Sequence, residues 1–514
     1  MLATSAPPLA LASPISVLLD KPAADFTRDD LLDFIVRRQI ESLSFHYTAI
    51  DGKLKEVKLP ISSLSRAERL LAEGERADGS SIFPGVVEPG ASDVYVVPLY
   101  RSAFVNPFDS RTLGFICRFF DRDGNLASFA PDNILHHAAA GFQHRTGLQI
   151  RALGELEFYL VSENSSALYP SEAQRGYHAA TPFVKSGEMI DEMLRLLEQI
   201  TGAIKYGHGE VGWIGSIASD NIELAGKTAE QFEIEFLPLP IEECADALVL
   251  ARWLIRSVAH RHRCLATFAP KLEEGVAGSG MHFHLELQRN GRNAIASRAG
   301  DLSSEALTLI GGLCKHADVL TAFGNTMAAS YLRLVPNQEA PTRICWSDMN
   351  RSALIRVPLA WTRAGALANQ INPPSPPLDQ LSRQTVELRT PDGSALIHLL
   401  LSAITQVADE AFQDPTSADT ARQRYVTAEG LKDEKIASAL PHLPGSCAEA
   451  ASLLQRRRTL FEREGTFPRE IIDYVLNLLR AEEDAHLASE LWELNESDRA
   501  GAVKQLLHRE LHRH

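Results

Sequence analysis

Apolar and polar residues alternate through Gly154-Glu155-Leu156-Glu157-Phe158-Tyr159-Leu160. That period predicts a strand with Leu156 and Phe158 on one face and Glu155 and Glu157 on the other. Acidic or histidine-bearing stretches return over 204–212, 231–237, 278–287 and 384–390 and read as further strands. Between them, 241–262 and 303–322 space their apolar residues as amphipathic helices do. Strands separated by helical excursions, each with polar residues on one face, predict one antiparallel or mixed sheet whose polar face lines a site.

Upstream, residues 26–110 read as a smaller α+β unit. Thr27 and Asp30 form a loose capping pattern for a helix through Ile40, and Leu43, Phe45 and Tyr47 alternate into a strand. Asp51-Gly52 then supplies a hairpin turn before Leu54–Leu59. Ser65 and Glu68 predict the cap of the next helix, which ends near Gly74; a glycine- and proline-rich loop (77–90) and a strand over 94–98 follow. The last hundred residues read as mostly helical, with a capping box at Ser446 and Glu449. The expected organisation is a loosely ordered arm over 1–25, the small domain over 26–110, and one large domain over 111–514.

Composition narrows the class. The chain has 514 residues, 45% of them hydrophobic and 23% charged, as in a globular enzyme with a large core. A formal net charge of -15 argues against nucleic-acid and anionic-membrane binding, which need a basic surface. No apolar tract is long enough to cross a bilayer, and the start lacks a basic region of the kind a signal peptide carries. The six cysteines show no C-x-x-C pair and read as reduced core thiols of a cytoplasmic protein.

Candidate chemistry follows from the polar faces. Glu155 and Glu157 repel each other unless a cation lies between them, and divalent ions are the usual remedy. Glu210 between glycines, Glu233 and Glu235 in a second acidic strand, His282 and His284 after Gly278-Ser279-Gly280, and Glu387 beside Arg389 add ligand-type residues. Arg333, Arg351, Arg356 and Arg389 sit in apolar or tight contexts, where a guanidinium needs a partner such as phosphate or carboxylate. Together these types suit metal-assisted phosphoryl transfer. Neither a Walker A nor a dinucleotide fingerprint is present.

In this order the segments resemble the glutamine synthetase family over residues 26 to 480. The resemblance rests on Asp78-Gly79-Ser80-Ser81-Ile82, Gly154 to Phe158, Glu210-Val211-Gly212, Gln231 to Glu233, Gly278 to His284, Asn337 to Pro341, Asn350 to Pro358 and Val386 to Asp392. It implies an α+β fold: a β-grasp-like N-terminal domain, then a catalytic domain with a mostly antiparallel sheet and a helical C-terminal region. It implies that Glu157, Glu210 and Glu233 hold one divalent ion and Glu155, His282 and Glu387 a second, with two or three Mg2+ or Mn2+ per site. By the same pattern His284 lies near ATP, and Arg351 and Arg356 grip the transferring phosphoryl group. Arg333, Arg389 and the Gly278 backbone bind L-glutamate. Glu339 lies on a flap as a proton acceptor; Asp78, with Ser81 in the same loop, comes from a neighbouring subunit, favours ammonium and shares in taking its proton. The implied reaction makes glutamine through γ-glutamyl phosphate in a ring-shaped homo-oligomer, a dodecamer of two stacked hexamers.

Several positions depart from the pattern: Ala277 where asparagine is usual, Glu286 for serine, Thr385 for arginine, and an insertion over Trp213–Thr228. They keep two alternatives open, a ligase joining glutamate to a polyamine or another primary amine, and a catalytically silent relative.

Overall fold

The computed structural model describes residues 9–163, 168–297, 300–334, 341–360, 364–376 and 383–513. Two sheets organise them. The small sheet contains β1 (Ser42–Thr48), β2 (Leu54–Pro60), β3 (Glu75–Asp78), β4 (Asp93–Pro98), β5 (Phe104–Val105) and β6 (Thr112–Phe120). Its order is β2-β1-β6-β4-β3, with β5 also on β6. The parallel β1–β6 pair at its centre is the reason the sheet extends beyond residue 110, where the sequence reading placed the boundary. An unbroken apolar run, Leu113 to Phe119 around Gly114 and Arg118, hides a strand buried on both faces from a two-residue period.

Thr27 caps the helix Arg28–Arg38 as a reciprocal box with Asp30. The next helix starts earlier than expected: Ser63, not Ser65, accepts the Arg66 N–H, and the helix is Leu64–Glu73. The expected loop after Ala77 is partly regular, with β3 ending at Asp78 and a helical turn over Gly79–Ile82. The described part of the N-terminal arm is also ordered, since helix Pro14–Leu19 buries Ile15 completely in the main core.

The large sheet has β7 (Gln149–Ser162), β8 (Ile204–Ile214), β9 (Thr228–Phe236), β10 (Leu239–Pro240), β11 (Leu265–Thr267), β12 (Phe283–Arg289), β13 (Arg292–Asn293), β14 (Trp346–Asp348), β15 (Ile355–Val357) and β16 (Val386–Leu388). The order β14-β15-β16-β12-β7-β9-β8 is antiparallel except for β14–β15, as the sequence pattern predicts. Helices Ile241–Arg261, Ser304–Gly324 and Ile397–Gln413 pack their apolar residues into the main core. Ser304–Gly324 is long and apolar enough to cross a membrane by composition, yet 78% of that window is buried inside the fold. The 213–228 insertion is packed as well: Ile217 and Leu224 are buried beside Val161 and Leu511. All six cysteines are free thiols.

Candidate active site

The sheet register brings the acidic residues together. Across β7 and β9, Glu157 faces Glu233; across β12 and β16, His284 faces Glu387; across β15 and β16, Arg356 faces Glu387. The β8–β9 pairing slips between Gly209 and Trp213, so Glu210 sits in an irregular stretch that turns it out of the ladder. Gly212 in that stretch admits no side chain, because a Cβ would lie 2.0 Å from the Tyr159 hydroxyl.

A cavity of about 330 Å³ opens over this face. Glu155, Glu157, Glu210, Glu233, His282 and Glu387 line it, with Gly278, Arg333, Arg351, Arg356 and Arg389. His284 is buried just behind. Tyr177, Tyr206, His208 and Gln231 also line it, and the sequence reading assigned none of them a site role. Asp78 and Ser81 do not line the cavity of their own chain: Asp78 Oδ1 accepts the Ser80 N–H at 3.0 Å and Oδ2 the Ser81 hydroxyl at 2.7 Å. Hydrogen bonds from Ser81 and Ser80 hold the exposed Asp78 carboxyl down at about 2. It therefore carries its negative charge at any working pH and is a weak base. Glu339 lies outside the described residues.

Two ligand groups are preformed. Glu155, His284 and Glu387 present donor atoms within 4.8 Å of one another, as do His208, Glu210 and Glu233. Glu155 meets both imidazoles, His284 Nε2 at 2.9 Å and His282 Nδ1 at 2.7 Å, and His282 Nδ1 stands 3.8 Å from Glu387. The geometry thus groups His284 with the carboxylates more tightly than the family pattern does. Thr385 fixes His284 from the other side, its hydroxyl 2.9 Å from Nδ1. In the second group His208 Nε2 lies 3.1 Å from Glu233, while Glu157 accepts the Gly280 N–H at 2.7 Å.

Burial and crowding set the charges. Burial raises Glu210, and the Glu157 charge adds to it, bringing it to about 7. Glu233 is pushed well above the usual range by burial, then by Glu155, Glu157 and Glu210. Burial also acts to raise Glu155, but His284 and His282 outweigh it and hold that carboxyl well below the usual range. A cluster that can ionise fully only with added positive charge fits a hard divalent ion, for which carboxylate oxygen and imidazole nitrogen are suitable donors.

Two of the arginines are held by one of these carboxylates. Glu387 takes Arg356 at 2.9 Å and Arg389 Nε at 3.0 Å, and Arg389 also donates to the Arg351 carbonyl. Arg356 Nε is buried with no hydrogen-bond partner among the described residues, an unspent donor beside the cavity. Arg333 donates to the Thr390 carbonyl at 3.0 Å and leans on Gly280, where a Cβ would meet its terminal nitrogen at 2.6 Å.

Residues 39–122 match the family model described as glutamine synthetase, beta-Grasp domain, and residues 128–496 the one described as glutamine synthetase, catalytic domain. The glutamine synthetase of Halobacterium salinarum is 31% identical over 83% of this chain and 87% of its own. That of Aquifex aeolicus is 27% identical over 89% of this chain and 96% of its own. Among solved structures, the glutamine synthetase of Plasmodium falciparum superposes with a TM-score of 0.71 at 20% identity, covering 92% of this chain and 98% of that one. With both of its domains matched and a relative above 30% identity along most of its length, this chain belongs to the glutamine synthetase family.

Proposed function

We propose that the protein joins ammonia to the side-chain carboxylate of L-glutamate at the expense of ATP, giving L-glutamine, ADP and phosphate. The observation that carries this reading is the convergence of five carboxylates, two imidazoles and four arginines on one cavity. Two or three divalent ions, Mg2+ or Mn2+, held by Glu157, Glu210 and Glu233 and by Glu155, His282 and Glu387, would supply the charge neutralisation that lets a carboxylate approach a triphosphate. His208 and His284 complete these groups, and His284 borders the nucleotide.

The remaining roles belong to the chain's own side chains. Arg351 and Arg356 grip the transferring phosphoryl group while the glutamate carboxylate attacks the γ-phosphorus and ADP leaves. Arg333 and Arg389 bind glutamate, and the Gly278 carbonyl offers an acceptor to its amino group. Ammonia then attacks the acyl carbon of γ-glutamyl phosphate and phosphate departs. Asp78 with Ser81, reaching the site of a neighbouring subunit, draws ammonium by charge, and Glu339 takes its proton. This division follows from the low pKa of Asp78, which suits attraction better than proton removal. Completing each site with a neighbour's Asp78 calls for a closed homo-oligomeric ring, a dodecamer. Six free cysteines accord with a reducing cytoplasm.

One observation favours a second reading, a larger primary amine as acceptor. Tyr177, His178, Tyr206 and His208 cluster at the cavity, with Tyr177 stacked on His178 at 4.2 Å and His178 4.3 Å from His208. Aromatic faces beside Glu210 and Glu233 suit an organic ammonium. Phosphate release from ATP and glutamate, measured with ammonium and with a panel of amines, tests the choice. Turnover with ammonium is the expected result; turnover only with a larger amine establishes the second reading.

A further inference from the structure

A second cavity, of about 540 Å³, lies away from the active site between the hairpin turn Gly52–Leu54 and the helix Ile241–Arg261. Its charged lining is all of one sign or titratable to it: Lys53, Arg252, Arg256, Arg261, His260 and His512. Among the described residues no carboxylate lies within ion-pair distance of Lys53, Arg252, Arg256 or Arg261. Glu223 pairs with the lining His512 at 2.7 Å, and Asp51 accepts the Lys53 backbone N–H at 3.1 Å.

Arg252 is only 2% exposed, a placement that ordinarily demands an anionic partner. Among the described residues its terminal nitrogens donate to the Gly393 carbonyl at 2.9 Å, the Ala395 carbonyl at 3.4 Å and Met281 Sδ at 3.7 Å, and its guanidinium stands 5.9 Å over the Phe268 ring. The Nε atoms of Arg252 and Arg256 are both buried without a hydrogen-bond partner among the described residues. Burial, and next the Arg256 charge, push Arg252 down to about 9, and burial takes Arg256 to about 10. Both shifts are led by burial, and at Arg252 the Asp392 charge offsets only part of it. One wall is aromatic: Trp253 and Phe108 pack edge to face with centroids 5.6 Å apart, and Arg261 stands 5.2 Å over Phe108.

We propose that this cavity is a binding site for a small phosphate-bearing molecule with a planar apolar body, its anion on Arg256, Arg252 and Lys53 and its body against Trp253. Inorganic phosphate alone leaves most of the volume empty, and that volume falls in the range of small-molecule pockets. The inference is independent of the ligase reading, because none of these residues lines the first cavity.

The experiment is calorimetric titration of the full-length protein with phenyl phosphate and with inorganic phosphate. Phenyl phosphate is expected to bind more tightly, and raising the salt concentration to weaken both. Arg256→Gln is expected to weaken phenyl phosphate about tenfold or more, as loss of a charge-assisted hydrogen bond does. Arg256→Lys should retain most of the affinity. Trp253→Leu should bring phenyl phosphate close to inorganic phosphate. Lys53→Ala, in the half-buried hairpin turn, supplies a second reading should Arg256→Gln unfold, and is expected to lower affinity severalfold. Absence of binding by either probe at millimolar concentration overturns the proposal. So does binding that survives Arg256→Gln and Lys53→Ala but disappears in Arg356→Gln, which assigns it to the active-site cavity.

Discussion

Two buried charge clusters in this molecule are built from the same residue types and settle in opposite ways. In the first, Arg118 on β6 holds Asp246 at 2.6 Å and Asp132 at 3.4 Å, and His398 reaches Asp246 at 3.1 Å. Burial acts to raise Asp246, yet Arg118 and His398 outweigh it and bring the carboxyl to about 2. Every element in that network belongs to this chain: β6 of the small sheet and helices Pro131–Thr146, Ile241–Arg261 and Ile397–Gln413. It fastens one domain to the other. In the second cluster Glu210 and Glu233 face Glu157 and Glu155, and burial raises both; Arg351 offsets only part of the rise at Glu210. A closed charge network reads as structural; an open one awaits a ligand.

The comparison breaks first at Arg118. Arg118→Met strands two buried aspartates, and stability in denaturant titration should fall by about 3–5 kcal/mol. Turnover per folded molecule should be retained. Glu387→Ala should do the reverse. Removing the carboxylate that anchors Arg356, Arg389 and one ligand group is expected to cut kcat by about 10²- to 10³-fold, with a smaller loss of stability.

The smallest effect is a pH dependence of opposite sign in the two clusters. Glu210 titrates near 7 folded against 4.5 in the free chain, so between those values the folded state holds a proton that the unfolded state has lost. Metal-free protein should therefore lose stability as pH rises from about 4.5 to about 7, by on the order of 2–3 kcal/mol, and saturating Mg2+ should remove that loss. Asp246, at about 2 folded against 3.8, contributes stability that is complete above 3.8 and vanishes as pH falls through 2. Thermal melts across pH with and without Mg2+ separate the two.

Legibility in the sequence followed the same division. The alternation around Glu155 and Glu157 placed both carboxylates on one face, and the register confirms that geometry with Glu157 opposite Glu233. The gathering of these strands into one sheet with a polar face was likewise readable, because a half-buried strand must alternate; their order was not. β6 was not, since a strand covered on both faces has no polar period to betray it. His208 escaped because a lone histidine between glycines reads as solvated surface; only the β8–β9 register sets it beside Glu233. Tyr177 and His178 lie in a segment without periodicity, so only the folded chain brings them to Tyr206 and His208. The Lys53–Arg256 cavity joins residues some two hundred positions apart whose arginines look like an ordinary helix face.

Manganese binding tests the central claim most directly. Anomalous diffraction or electron paramagnetic resonance on the Mn2+-soaked protein is predicted to find at least two ions per chain, one lost in Glu233→Gln and the other in Glu387→Gln. A chain that binds no ion in the active-site cavity, or whose ions are indifferent to both substitutions, would contradict the account.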